Sequence, residues 1–242
     1  MRKAIVTFCD ENYRPGLEVL VASIRRWNQE IEVLVITNMT EEIEGCTFVP
    51  ASDYNPDCGA WPQIPIYVTE AFGWVEYDRI IVIQPDMIVV GDLNRILNAA
   101  LPEFGAVPGY GLIPPPQHRG MRGFGDGMMI IKPSIEMRDW ILDYNGVGGQ
   151  EATIQYALEN QWACELPYTW NMSKRRYRHF GESWNMIKDE IIILHYVGED
   201  KPWMENEDYE YRRLNDVWRS YAAGNPIPLP RSKYEVENEI IL

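Results

Sequence analysis

The sequence lacks the long hydrophobic runs and cysteine patterns that mark membrane or secreted proteins. No segment approaches the roughly 20 apolar residues that a membrane helix needs. The apolar stretch at the N-terminus is short and is interrupted by Asp10, unlike a secretion signal. The four cysteines are scattered without C-x-x-C spacing, which argues against a zinc site or a disulfide framework. These absences predict a cytoplasmic protein with reduced thiols and no membrane span.

Glycine motifs that bind phosphate are also missing. The first predicted strand is followed by C-D-E-N-Y-R-P-G rather than G-x-G-x-x-G, and neither a Walker sequence nor a G-x-S-x-G elbow occurs. Gly123, Gly125 and Gly127 have a similar rhythm, but they lie in a glycine-rich mid-chain loop and are a weak signal. Dinucleotide binding and hydrolase chemistry therefore have little support.

Positive charge is scarce, since 22 Lys and Arg residues face 36 Asp and Glu residues and give a formal net charge of -14. Nucleic acid and anionic membranes are therefore disfavoured as partners. Against that background, the run K-R-R-Y-R-H at Lys174–His179, called the basic cluster below, is informative. We predict that it lies in a loop, where it is either solvated or in contact with an anionic ligand.

What the chain does contain is enough apolar material for one domain over residues 1–242, of which 46% are hydrophobic. The order strand, helix, strand over Ala4–Cys9, Pro15–Trp27 and Ile31–Thr37 predicts a parallel sheet with a right-handed crossover. We place the core of the domain at about residues 3–203 and a C-terminal helix and tail at 204–242. Further strands are predicted at Gly105–Val107, Met128–Lys132 and Ile191–Tyr196, and further helices at Ile66–Val75, Leu93–Ala100, Ser134–Tyr144, Gln150–Asn160 and Glu207–Tyr221.

The most informative stretch is Arg79–Leu93, which reads R-I-I-V-I-Q-P-D-M-I-V-V-G-D-L. Ile80–Ile83 is a β-branched run of the kind found in strands buried on both faces. Pro85 ends this run, and Asp86 follows just beyond it. Because open α/β sheets bind ligands beyond the carboxyl ends of their strands, Asp86 is a candidate for chemistry. The alternative is that Gln84–Asp86 forms only a strand-ending turn.

A second informative stretch, H-Y-V-G-E-D-K-P-W, begins directly after a predicted buried strand at His195. A histidine there could ligate a metal, and Lys201 could neutralise a phosphate. Gly198 would let the backbone approach a ligand closely. Alternatively, His195 is a structural histidine with all its hydrogen bonds satisfied.

This second stretch resembles the H-x-x-G-x-x-K-P-W signature of glycosyltransferase family 8, the glycogenin-like group of retaining, nucleotide-sugar-dependent enzymes. Weaker resemblances follow in family order, namely V-T-F-C-D-E-N-Y, I-I-V-I-Q-P-D-M-I-V, G-F-G-D-G-M-M-I-I-K-P-S, G-G-Q-E-A-T-I-Q and L-P-Y-T-W-N. Together they cover about Ala4 to Trp203. The resemblance implies an α/β GT-A fold with a mixed, mostly parallel central sheet. It also implies transfer of a sugar from a nucleotide-sugar, UDP-linked, to a glycan or other hydroxyl acceptor, with retention of configuration.

The resemblance also assigns roles to individual residues. It implies a Mn²⁺ or Mg²⁺ ion held by Asp86 and His195, where one imidazole among oxygen ligands favours Mn²⁺. Lys201 matches the lysine that contacts the diphosphate. The implied nucleotide-sugar-binding residues are Thr7, Phe8, Tyr13, Gln84, Asp86, Gly198 and Lys201.

The centre of the site departs from the family pattern. Gln84 replaces the first acid of D-x-D, and its neutral amide is a weaker ligand for a hard cation, so the metal is expected to bind weakly. Gln150 and Glu151 stand in place of Asp-Gln, and Gly125-Asp126 stands in place of Asn-Ser. One interpretation is an active enzyme in which Asp126, Gln150 or Glu151 acts near the sugar. The other is a non-catalytic binder of nucleotide-sugars. Oligomeric state, including a homodimer, stays open.

Overall fold

The structure, a computed structural model, describes residues 1–51, 69–108, 124–143, 163–205 and 207–233. Within these ranges the main sheet has seven strands in the order β3-β2-β1-β4-β7-β6-β8, and a smaller sheet has the order β5-β10-β9. The strands are β1 (Lys3–Cys9), β2 (Glu32–Thr37), β3 (Thr47–Pro50), β4 (Arg79–Ile83), β5 (Met87–Val89), β6 (Phe104–Pro108), β7 (Phe124–Ile131), β8 (Ala163–Glu165), β9 (Met172–Ser173) and β10 (Ile193–His195).

The α-helices in the described ranges lie mostly between the strands and after the last of them. They are α1 (Arg14–Trp27), α2 (Asn94–Leu97), α3 (Ile135–Asp143), α4 (Arg175–His179), α5 (Gly181–Ile187) and α6 (Arg212–Ala222), and residues 69–71 are also helical. Short 3₁₀ turns occur at Glu11–Tyr13, Tyr168–Trp170, Lys188–Glu190 and Tyr209–Tyr211. No helix in these ranges is both long enough and apolar enough to span a membrane.

The main sheet is mixed and mostly parallel, as the sequence predicts. Strand β1 pairs in parallel with β2 and β4, whereas β7 is antiparallel to both β4 and β6. Both faces are covered, and successive residues of β4 contribute to different clusters: Ile80 and Val82 to one, Ile81 and Ile83 to the other. This double burial is the reason that β4 is a continuous apolar run rather than an alternating one.

The sequence did not predict β5 and β9 of the small sheet, nor the edge strands β3 and β8 of the main sheet. After β4 the chain turns through Gln84–Asp86 and returns as β5, which pairs antiparallel with β10 so that His195 lies opposite Met87. β10 also pairs in parallel with β9, where Ser173 is opposite His195. The predicted strand Ile191–Tyr196 is therefore shorter than expected and lies in the middle of the small sheet.

The prediction that the basic cluster is a loop is wrong, because Arg175–His179 forms α4 and Lys174 is buried just before it. Predicted helix boundaries also shift, with α2 shorter than Leu93–Ala100. The predicted strand at Met128–Lys132 begins earlier, at Phe124. The predicted helix Gln150–Asn160 lies outside the described residues.

The C-terminal helix α6 closes the domain against α1. Its inward residues Leu214, Val217, Trp218 and Tyr221 share a buried cluster with Val19 of α1. The prediction of a terminal helix with an apolar inner face is therefore confirmed, although the segment from Tyr209 to Tyr211 is a 3₁₀ turn rather than α-helix.

Candidate active site

Asp86 reaches the site through the turn that joins β4 to β5. Its carbonyl accepts a hydrogen bond of 2.9 Å from the Tyr196 N–H, which ties the turn to the residue after β10. The carboxylate is buried, with 5% of the residue exposed. The sequence interpretation of Gln84–Asp86 as a turn and the interpretation of Asp86 as a functional acid are thus compatible, because the turn is what presents the acid.

His195 ends β10 and faces Asp86. Its Nδ1 lies 3.1 Å from Asn171 Oδ1, an oxygen that can only accept, which assigns the ring proton to Nδ1. The other ring nitrogen, Nε2, faces Asp86 Oδ1 at 3.3 Å. Neither atom has a hydrogen-bond partner among the described residues, although both are buried. Asp86 Oδ1 and His195 Nε2 are therefore two candidate ligands for a divalent cation, since carboxylate oxygen and imidazole nitrogen both bind such ions.

Gly127 of β7 supports this arrangement by lacking a side chain. A Cβ at Gly127 would lie 2.8 Å from His195 Cε1, 2.9 Å from His195 Nδ1 and 2.8 Å from Asn171 Nδ2. These distances are shorter than carbon atoms tolerate in a packed interior, so the imidazole ring occupies the space of the missing side chain. The strand residue thereby fixes the position of the histidine ring.

Lys201 completes the charged centre. Its ammonium donates to Asp86 Oδ2 at 2.5 Å and to the Tyr196 carbonyl at 2.9 Å. Burial alone would raise the pKa of Asp86, but the neighbouring His195 and Lys201 outweigh it and lower that pKa to about 2. Asp86 is therefore ionised throughout the neutral range and is available as an anionic ligand.

The loop between His195 and Lys201 depends on two further features. Gly198 has a φ of 101°, in the left-handed region that favours glycine. Lys174, of which only 1% is exposed, donates to the Asp200 carbonyl at 2.6 Å and to its Oδ2 at 2.7 Å. A buried cation outside the loop thus holds the loop in its curved shape.

A cleft of about 300 Å³, part of it open to solvent, lies beside Asp86 at the carboxyl ends of β1 and β4. Its lining residues are Phe8, Cys9, Asp10, Tyr13, Gln84, Pro85 and Asp86. Four residues from the predicted donor-binding set meet here, while Thr7 is buried in β1 and does not line the cleft. Sequence reasoning missed Cys9 and Asp10. Asp10 follows β1 as Asp86 follows β4, and that equivalence was the signal that could have found it.

Aromatic residues connect the cleft to the C-terminal helix. Trp203 makes an edge contact with Tyr13, with ring centroids 5.8 Å apart, and lies 5.5 Å from Trp218 of α6. Lys201 Nζ lies 5.5 Å from the centre of the Tyr13 ring. Burial and, after it, the charge of Asp86 raise the pKa of Tyr13 to about 12, so its hydroxyl stays protonated at neutral pH. The tyrosine can therefore act as a hydrogen-bond donor in the cleft.

Several predicted residues are not placed by this geometry. Gln150 and Glu151 lie outside the described residues. Asp126 is in β7 directly before Gly127, and its side chain is not described. Across the described ranges, no cluster of three or more His, Cys, Asp or Glu side chains could hold a metal ion. The described part of the chain therefore offers Asp86 and His195 as strong ligands, with the neutral amide of Gln84 in the same cleft.

No family model matches the chain. The glycosyltransferase GlyF of Streptococcus pneumoniae is 22% identical over an alignment that covers 91% of this chain and 61% of GlyF. The glycosyltransferase GlyE of the same organism is 25% identical over 66% of this chain and 39% of GlyE. The chain therefore spans less than two thirds of the length of either relative.

Comparison with solved structures shows a similar fold despite low sequence identity. The crystal structure of GlyE has a TM-score of 0.63 at 17% identity, covering 96% of this chain and 66% of that one. The galactosyltransferase LgtC, in complex with donor and acceptor sugar analogs, has a TM-score of 0.64 at 19% identity, covering 93% and 97%. These relatives and neighbours are glycosyltransferases, and the chain has the GT-A fold that its sequence motifs predict.

Proposed function

We propose that this protein is a retaining glycosyltransferase that moves a sugar from a UDP-sugar to a glycan or other hydroxyl acceptor. The observation that carries the proposal is the buried pair of Asp86 and His195, whose facing oxygen and nitrogen atoms lack hydrogen-bond partners among the described residues. GlyF and GlyE are glycosyltransferases, which supports the reaction class. LgtC was crystallised with donor and acceptor sugar analogs, which supports two substrates. Retention and a uridine donor rest on the resemblance to glycosyltransferase family 8.

The residues present fit a divalent metal ion. Asp86 Oδ1 and His195 Nε2 would hold it, and the amide oxygen of Gln84 is a weaker candidate in the same cleft. Mixed oxygen and imidazole ligands suit Mn²⁺ better than Mg²⁺. When bound, such an ion would offset the negative charge that develops on the leaving diphosphate. Because Gln84 carries no charge, we expect weaker metal affinity than a site with two acids would have.

The chain's own residues have separate tasks in this proposal. Phe8 and Tyr13 offer apolar and aromatic surface to the nucleoside, and Asp10 offers a carboxylate that can accept from an N–H of the base. Lys201 has donated two of its three N–H groups to Asp86 and Tyr196, so one remains for a phosphate oxygen. During transfer the bond between the sugar C1 and the diphosphate oxygen breaks, and its electron pair leaves with UDP. A bond from the acceptor oxygen to C1 forms, and the proton of the acceptor hydroxyl passes to the departing UDP or to solvent.

The groups that act on the sugar are also part of the proposal. We assign them to Asp126, Gln150 and Glu151, of which Glu151 would stabilise or attack the positively charged sugar centre. The assignment of Asp126 rests on its place in the motif that resembles glycosyltransferase family 8. If Glu151→Gln turned over donor as fast as the wild type, its assignment would be wrong.

A second candidate function is a binder of nucleotide-sugars that does not catalyse transfer. The observation that favours it is Gln84, a neutral residue with 8% exposure in the cleft where the resemblance places an acid. A binder would retain the donor and the charged centre but would release no UDP.

The decisive experiment is a panel of UDP-sugars, each assayed for UDP release with and without glycan acceptors, in Mn²⁺, in Mg²⁺ and in chelator. We expect release from one donor with Mn²⁺ and acceptor present, and an NMR spectrum of the product that shows the anomeric configuration of the donor. UDP binding without release from any donor would favour the binder. Failure to bind UDP at all would contradict both functions.

A further inference from the structure

The structure separates the members of the basic cluster by what they contact. Lys174 is committed to Asp200 through two bonds of 2.6 and 2.7 Å. Arg178 forms ion pairs with Glu210 at 2.5 Å and Asp208 at 3.4 Å. These two cations therefore fasten α4 to the segments around Asp200 and Glu210. They have little charge left to offer a ligand.

The two remaining arginines differ from each other. Arg176 stacks its guanidinium over the Tyr168 ring at 4.1 Å and lies 5.7 Å from the Phe180 ring. Arg175 is exposed, and its guanidinium makes no ion pair or hydrogen bond within the part of the chain that the structure describes. Its Nη2 lies only 3.7 Å from the point that a Cβ of Gly198 would occupy. Among the described residues, the Arg175 side chain thus has no charged partner, and it lies beside Gly198 in the loop between His195 and Lys201.

Backbone pairing connects Arg175 to the proposed metal ligands. Ser173 is opposite His195 in the β9–β10 ladder, and the Lys174 N–H donates to the His195 carbonyl at 2.9 Å. The next residue is Arg175, so its backbone is held by the strand that carries His195. Contacts therefore lead from the nucleoside cleft through Asp86 and His195 to Arg175.

The buried charges near Gly198 largely cancel one another, which leaves a role for the positive charge of Arg175. Asp86 and Lys201 neutralise each other in a buried pair, and Gln84 is neutral where the resemblance has an acid. The Asp200 carboxylate also lies near this loop, with its Oδ1 3.8 Å from the Cβ position of Gly198. Its charge is offset by Lys174, which forms an ion pair with Asp200 Oδ2. A diphosphate at the Gly198 loop would therefore meet little net positive charge from the buried groups alone.

We propose that Arg175 is a second cation for the donor and binds the phosphate farther from the nucleoside. This inference rests on the proposed function, because it requires a nucleoside diphosphate at the Gly198 loop. A guanidinium can donate two parallel N–H bonds to phosphate oxygens, which a single lysine cannot do. Because Arg175 is exposed, its contribution is screened by salt more than that of Lys201.

The test is calorimetric binding of UDP and UMP to the full chain and to Arg175→Gln, in Mn²⁺ at low and high salt. Arg95→Gln is the matched control, since Arg95 is also an exposed arginine. It lies on α2, where the neighbouring Asn94 donates to the Trp27 carbonyl. Trp27 is at the end of α1 that is remote from the cleft. We expect Arg175→Gln to weaken UDP roughly five- to tenfold, the scale of one partly screened charged hydrogen bond. The affinity for UMP should stay unchanged, and Arg175→Lys should recover part of the loss.

The outcomes separate the two proposals. Equal UDP affinity of the wild type and Arg175→Gln would overturn the role of Arg175 and leave the proposed function standing. Equal weakening of UDP and UMP would also overturn it, because the contact would not be with the distal phosphate. A wild type that binds neither nucleotide would overturn the proposed function, and the inference with it. The result that would support the inference is a loss of UDP affinity in Arg175→Gln but not in Arg95→Gln. This loss should be smaller at high salt than at low salt.

Discussion

Nε2 of His195 and Oδ1 of Asp86 lie 3.3 Å apart, and neither atom has a hydrogen-bond partner among the described residues. Leaving a buried polar atom unpaired costs on the order of 1–3 kcal/mol. The fold orients these two atoms toward each other and holds the ring through Asn171 and Gly127, an arrangement that a bound cation would stabilise. This relationship is the basis of the predictions below.

Restoring the missing acid should strengthen metal binding. Gln84→Asp adds a negative charge to the cleft that already holds Asp86, and a carboxylate binds Mn²⁺ more tightly than an amide does. We expect the Mn²⁺ concentration for half-maximal UDP release to fall about tenfold, which corresponds to roughly 1.4 kcal/mol. The measurement is a Mn²⁺ titration of UDP release, with Gln84→Asn as the neutral control. Identical titration curves for Gln84→Asp and the wild type would show that this position does not contact the metal.

Adding one methyl group behind the histidine should disable the site without unfolding the domain. Gly127→Ala places a Cβ 2.8 Å from His195 Cε1, so the ring must leave the position in which its Nε2 faces Asp86. Gly105→Ala is the matched control, because its Cβ would be equally crowded, at 2.8 Å from Pro102 Cγ, in the neighbouring strand of the same sheet. We expect UDP release to fall by at least about tenfold in Gly127→Ala only, since small displacements of a ligand are costly.

Circular dichroism and thermal melting decide whether this comparison is valid. Both variants should lose a similar amount of stability, about 1–3 kcal/mol for an overpacked site. If Gly105→Ala lost as much activity as Gly127→Ala at equal stability, crowding near His195 would not be the cause.

The buried pair of Asp86 and Lys201 should contribute to stability in a way that a surface pair does not. Lys201→Met leaves a buried carboxylate without its cation, and we expect the free energy of unfolding to fall by about 3 kcal/mol. The control is Lys132→Met, which breaks a 2.7 Å pair with Glu103 whose side chains are about half exposed, and should cost less than about 1 kcal/mol. Urea denaturation in chelator gives both values.

The double variant Asp86→Asn/Lys201→Met extends this test. Because removing both partners leaves no unpaired charge, its loss should be smaller than the sum of the two single losses. Additive losses would mean that Asp86 and Lys201 do not stabilise each other in solution.

The central strands of the main sheet could be predicted because their apolar residues form local patterns, whereas its short edge strands β3 and β8 were not predicted. Ile80–Ile83 is a β-branched run, and burial on both faces by the two apolar clusters is what such a run requires. The small sheet could not be predicted, because β5 has three residues and β9 has two, which is too short for any periodicity to be visible. Its pairing is decided by contacts between residues far apart in the chain.

The site shows the same division between local and long-range information. Asp86, His195 and Lys201 follow from motifs, and the structure brings all three together. The basic cluster was misread because the burial of Lys174 depends on Asp200, which is distant in sequence. Asp10 was overlooked because its side chain caps the Tyr13 N–H, as the acid before a helical turn ordinarily does.

The most direct test of whether Asp86 and His195 act together in sugar transfer is the rate of UDP release from the best donor. This rate is measured for Asp86→Asn and for His195→Gln, each beside the wild type in saturating Mn²⁺. Asparagine and glutamine keep much of the shape of each side chain, and circular dichroism would establish that both variants are folded. We predict that each variant loses at least about a hundredfold in rate, as expected when electrostatic stabilisation of a leaving group is removed. Wild-type rates in both folded variants would contradict it.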